Sequence, residues 1–178
     1  MPRSIMRATA LSGALVVALL FAAPMPAAGL VGTSWPVQQT GTVWRADGVT
    51  GDQFGYAVAI DGNTAVVGAP FDDGEEGSAF VYEFNGNTWV FSQRIPADPA
   101  AGDHFGAAVD IDGDYIVVGA PDDSVSGTQR GSAVVFQRTP TGWTNLSELV
   151  PTGAASGDKF GFSVAISGTT VVVGAPRN

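Results

Sequence analysis

The sequence predicts an all-β fold built from a repeated unit, and three observations carry that reading. Gly-Asp-x-Phe-Gly occurs three times, at Gly51–Gly55, Gly102–Gly106 and Gly157–Gly161, with the Phe residues 51 and 55 positions apart. Each copy is followed at one fixed distance by Val-Val-Gly-Ala-Pro, ending at Pro70, Pro121 and Pro176. The chain also holds 24 Gly and 11 Pro, punctuation that fits short strands and turns better than long helices. A period of this length marks a repeat architecture, in which one unit alone cannot bury its apolar faces.

Taken in order, residues 1–28 read as a signal peptide. Arg3 and Arg7 give a positive start, Leu11 to Phe21 is an apolar run, and Ala22 to Ala28 is a small-residue exit. The run is shorter than the roughly 20 residues a membrane-spanning helix needs. This predicts export, a secreted or cell-surface location, and no membrane insertion of the mature part. Residues 29–50 form an N-terminal segment. Within it, Thr33 to Val37 carries Trp35 and resembles the outer strands described below, so it is a candidate closing strand.

Residues 51–101 are read as the first full unit, 102–156 as the second and 157–178 as the first half of a third. In the first, Tyr56, Val58 and Ile60 alternate with Gly55, Ala57 and Ala59. Period two of this kind is a strand with one large and one small face, and the small face suits a place where another sheet comes close. Asp61-Gly62-Asn63, Asp112-Gly113-Asp114 and Ser167-Gly168-Thr169 follow as tight hairpin turns. The next strand, Ala65 to Ala69, Ile116 to Ala120 or Val171 to Ala175, is apolar on both faces, as an interior strand is. Proline ends it, because proline cannot donate to a ladder. A third strand starts at Gly77-Ser78-Ala79 and Gly131-Ser132-Ala133, and a fourth, more polar one holds Trp89 to Gln93 or Trp143 to Leu146. A polar outer strand is what an exposed sheet edge requires. Four antiparallel strands per unit make a β-propeller blade.

These residues resemble the FG-GAP repeat family, the β-propeller modules of integrin α subunits and of many bacterial exported proteins. Phe54-Gly55, Phe105-Gly106 and Phe160-Gly161 match the FG element; Gly68-Ala69-Pro70, Gly119-Ala120-Pro121 and Gly174-Ala175-Pro176 match the GAP element. The resemblance covers roughly residues 33 to 178. It implies a propeller, commonly of seven blades, used for extracellular recognition and adhesion. Two full blades, a half blade and an N-terminal outer strand are too few to close a ring. The expectation is therefore an incomplete propeller, a fragment whose missing blades belong to the same longer chain.

Many members of that family carry an Asp-rich calcium loop between the first two strands. Here that connection is a tight turn. Asp110, Asp112 and Asp114 have the alternating spacing calcium favours, but Ala59, Asp61, Asn63 and Ala165, Ser167, Thr169 stand at the same positions. Asp112 and Asp114 are read as turn residues, and no metal or cofactor is assigned. Asp52, Asp103 and Asp158 recur in every unit, which predicts a structural role, their side chains accepting backbone N–H groups in Asx-type turns. Asp72-Asp73 with Glu75 and Glu76, and Asp122-Asp123, read as solvated acidic loops or as a cation-assisted or basic-partner contact. His104, the only histidine, has Gln53 and Lys159 as counterparts and is taken as a variable exposed slot. It supports neither zinc nor a Ser-His-Asp arrangement. Trp35, Trp89 and Trp143 recur and are read as packing residues, whereas Trp44 falls outside the pattern.

The charge narrows the partners. Two of the eight basic residues and none of the 17 acidic ones lie before residue 30. The mature part is strongly acidic, which argues against nucleic acid and anionic membranes. With no Cys, apolar burial and sheet hydrogen bonds hold it together. No catalytic residue is predicted. The chain is expected to be a non-enzymatic recognition or adhesion module for an extracellular protein or glycan ligand. The alternative is an accessory propeller of a larger secreted hydrolase or lyase.

Overall fold

The computed structural model describes residues 17–22, 37–43, 45, 48–96 and 102–177. It is nearly all β. Residues 33–36 of the candidate closing strand, Trp44 and most of the expected signal peptide lie outside the described residues. Of the N-terminal part, β1 (Val17–Ala22) pairs antiparallel with β2 (Val37–Val43).

Blade 1 is a four-stranded antiparallel sheet in the order β3 (Val58–Asp61), β4 (Thr64–Ala69), β5 (Ser78–Phe84) and β6 (Trp89–Pro96). A four-residue helical turn, α1 (Asp72–Glu75), sits between β4 and β5, with Asp73 and Gly74 at positive φ. Blade 2 repeats the order with β7 (Ala108–Asp112), β8 (Tyr115–Ala120), β11 (Ser132–Thr139) and β12 (Gly142–Leu149). Its β8–β11 loop carries a small hairpin, β9 (Ser124–Val125) with β10 (Thr128–Gln129), that the sequence pattern did not announce. The half blade is β13 (Ser163–Ser167) paired with β14 (Thr170–Gly174). The strand order and register follow the pattern read from the residues. The first strands begin one or two residues later than their alternation does, because Gly55 and Tyr56 are still turning.

The inner strands β3, β7 and β13 pack side by side. The small face of β3, Ala57 and Ala59, lies on a core formed by Phe105, Val109, Ile111, Val118 and Phe136 of blade 2, with Val66, Val81 and Ile95 of blade 1. The same scheme continues between blade 2 and the half blade, where Val117, Ala133 and Val135 meet Val164, Ile166 and Val173. Backbone fit is close at each junction. A Cβ on Gly68 would stand 2.0 Å from the Gly106 carbonyl oxygen, and one on Gly119 would stand 2.0 Å from that of Gly161. Only glycine permits this approach.

The large face of β3 has a different fate. Val58 is 48% exposed and Ile60 40%, whereas their blade 2 counterparts Val109 and Ile111 are 9% and 6% exposed. Higher on that face, Val43 of β2 is buried against Phe54, Phe80 and Trp89. It covers blade 1 as Ile95 of β6 covers blade 2.

Candidate functional site

The Phe-Gly turn is the device that positions everything at one end of the blades. The residue between Asp and Phe is left-handed in all three copies, with φ of 54° at Gln53, 54° at His104 and 61° at Lys159. Non-glycine residues adopt this conformation at a cost, so the turn is held from outside. Part of the hold is the preceding carboxylate. Asp52 accepts from the Val49 N–H at 2.9 Å and Asp158 from the Ala155 N–H at 2.7 Å. The structural role read for these aspartates is therefore present, with the donor three residues upstream instead of downstream. The neighbouring blade supplies the rest. Phe105 N–H donates to Glu76 O at 3.1 Å and Phe160 N–H to Arg130 O at 2.9 Å.

At the opposite end of β7, the three candidate calcium ligands are engaged elsewhere. Asp110 accepts from the Ile166 N–H at 2.8 Å, and Asp112 from the Gly168 N–H at 2.6 Å. Asp114 is 3.4 Å from Arg138 Nε. Among the described residues, no group of three His, Asp or Glu is arranged to hold a metal ion. Asp110 and Asp112 are struts between blade 2 and the half blade.

The acidic loops are not simply solvated. Asp72 is 1% exposed and lies between Arg45 and Arg94, the latter at 3.0 Å. Burial works to raise its pKa, but hydrogen bonds from Arg45 and Ser78 and the two guanidinium charges outweigh it and hold the carboxyl below its ordinary value. Asp122 follows the same logic. Burial raises it, and Lys159 and His104 bring it below the ordinary value. Asp103 moves the other way. Burial and then the charge of Asp123 push it up to about 6, against a hydrogen bond from the Ser124 backbone.

His104 also departs from the sequence reading of an exposed slot. It is half-buried, its Nδ1 is 3.0 Å from Asp122, and its ring packs tilted at 52° against Phe71, 4.7 Å between centres. Among the described residues, its Nε2 is buried without a hydrogen-bond partner. His104 lines a cleft of about 460 Å³ at the end of the inner strands, together with Tyr56, Phe71, Asp122, Lys159, Phe162 and Arg177. Pro70, Pro121 and Pro176 form its floor.

The prolines of this cleft repeat, and the other residues lining it come from three slots that vary between copies; of those slots' residues only Gln53 lies outside the lining. The residue after the Asp is Gln53, His104 or Lys159, the residue after Phe-Gly is Tyr56, Ala107 or Phe162, and the residue after the GAP proline is Phe71, Asp122 or Arg177. Equivalent backbone bonds hold the last slot in each copy, from Phe71 to Asp52, Asp122 to Asp103 and Arg177 to Asp158, each 3.3 Å. Tyr56 and Phe162 are 58% and 57% exposed. Sequence reasoning marked the His104 slot as variable and the Asp122 loop as a contact, but it did not join them with Tyr56, Phe162 and Arg177 into one surface, although aligning the three copies on Phe-Gly displays the variation directly.

Comparison with known families agrees with the resemblance read from the motifs. The model of the FG-GAP repeat matches residues 37–82, 89–136 and 143–178. Each matched segment opens on or within an outer strand, β2, β6 or β12, and runs into the blade that follows. This makes Val37–Val43, which begins at the last residue of the Thr33 to Val37 stretch expected, the counterpart of the outer strands. No curated protein matches the chain.

Proposed function

The chain belongs to the FG-GAP repeat family, and on that premise we propose that it is an exported, non-enzymatic recognition or adhesion module. The observation that carries this reading is the axial cleft. Three repeated turns deliver eight variable side chains to one cleft, and those positions differ from blade to blade while the supporting residues recur. A rigid frame with variable contact residues is how recognition surfaces are built on repeats.

The contact chemistry is mixed. Tyr56 and Phe162 offer exposed rings for stacking, and Lys159 and Arg177 offer positive charge. Such a surface suits a protein loop or a glycan from outside the cell. Residues 1–28 direct the export.

The test has two arms. Residues 1–28 fused to a reporter active only after export should send it out of the cell; retention would count against the location. The protein without that segment should then be screened on a glycan array and a panel of extracellular-matrix proteins. A Tyr56→Ser/Phe162→Ser variant should lose the captured binder at unchanged melting temperature. Full binding by that variant would remove the cleft from the reading.

A further inference from the structure

The two complete blades differ in charge chemistry at one equivalent place. In blade 1, Asp72 is gripped by Arg45 and Arg94, Arg45 also reaches Asp52, and its guanidinium lies 4.7 Å from the centre of the Phe80 ring. Aligning the blades on Phe-Gly and Gly-Ala-Pro places Asp103 at the Asp52 position and Asp123 at Asp72, and aligning the third strands on Gly-Ser-Ala places Ser132 at Ser78. The acceptors recur and the cations do not. Pro96 stands where Arg45 does. Glu148 faces Val134 across the β11–β12 pair just as Arg94 faces Phe80 across β5–β6. Smaller Val134 leaves room where Phe80 fills it. The result is a cavity of about 670 Å³ between the blades, walled by Asp103, Asp123, Ser132, Val134 and Phe136 with Ile95 opposite.

We propose that this cavity binds a guanidinium group, the arginine side chain of a partner peptide, in the place that Arg45 and Arg94 occupy in blade 1. The chain itself shows how such a group is held: two carboxylates, a serine hydroxyl and an apolar wall under the planar cation. A guanidinium presents five donors in a fixed fork and suits paired carboxylates. A metal ion requires a tighter set of oxygens, and no such set exists among the described residues. The state of Asp103 fits the reading. Burial and then the Asp123 charge hold this carboxyl's pKa at about 6, with only the Ser124 backbone and His104 working against them, and an arriving guanidinium favours its ionised form. The site lies between blades, apart from the axial cleft, and stands whether or not the cleft recognises a ligand.

The full chain should be titrated with N-acetyl-arginine amide and with the citrulline analogue, which keeps the shape and lacks the charge. The arginine probe should bind saturably and the citrulline probe at least about tenfold more weakly. Asp123→Asn should weaken the arginine probe by a similar factor. Glu148→Arg, which rebuilds the blade 1 arrangement, should abolish binding with the melting temperature equal or higher, and it decides the matter if Asp123→Asn does not fold. Tyr56→Ser/Phe162→Ser should bind the probe normally, which separates this site from the cleft. No saturable binding, equal binding of citrulline, or full binding by Glu148→Arg would overturn the proposal.

Discussion

Asp61 accepts a hydrogen bond from the backbone N–H of Gly113 at 2.7 Å, joining the hairpin turn of blade 1 to the same turn one repeat later. Asp112 makes the equivalent bond to Gly168 at 2.6 Å. These carboxylates brace neighbouring turns, so Asp61→Ala and Asp112→Ala should each destabilise by about 0.5–1.5 kcal/mol. The two sites share no partner, and the double variant should show the sum in urea unfolding. A cost far below the sum would mean that the turns are not independent.

Phe105 is 3% exposed and packs edge-on against Phe136, 6.1 Å between ring centres. It fills the junction between the two complete blades. Phe105→Ala should cost about 3–5 kcal/mol, read as a fall in the urea midpoint with the probes of both blades moving together.

Two glycines should respond differently to the same substitution. Gly113 has φ of 55° with open space around its Cβ direction, while Gly119 faces the Gly161 carbonyl oxygen at 2.0 Å. Gly113→Ala meets only backbone strain of about 1 kcal/mol. Gly119→Ala must push two blades apart, at about 1–3 kcal/mol or more, and should expose the Val117 and Val135 core to a hydrophobic dye. Equal costs at the two positions would contradict the close approach.

Asp103 gives the protein an unusual pH limb. Its folded-state pKa of about 6 lies above the ordinary 3.8. Between those values the folded chain keeps a proton that the unfolded chain releases, so stability falls as pH rises through this window. Asp72 and Asp122 act in the opposite sense, stabilising above the ordinary carboxylate value and losing that contribution as pH falls through their lowered pKa values. Urea unfolding at pH 4 and pH 7 should show Asp103→Asn gaining on the wild type between the two. Parallel behaviour would show that Asp103 ionises normally.

The strands were legible because period two, Asp-Gly turns and terminal prolines are local signals, and three copies confirm one another. Asp52 and Asp158 were legible as structural residues for the same reason of recurrence. The struts from Asp110 and Asp112 were not, because their acceptor–donor pairs are separated by a whole repeat and depend on how blades stack. Asp72 read as solvated because its partner Arg45 lies 27 residues upstream, in the segment before the blade. His104 and Asp122 were noticed singly, but the cleft they share with Tyr56, Phe162 and Arg177 was not, because it forms only when three repeats stack and its residues break the repeat.

Every junction in this chain uses the same parts: a carboxylate on one turn meeting an amide on the next, and a glycine admitting a neighbour's backbone. Gene duplication or loss of one whole unit therefore leaves each surviving seam with partners it already knows. Length can drift between generations without redesign of the frame, and selection is left to act on the few side chains the frame displays.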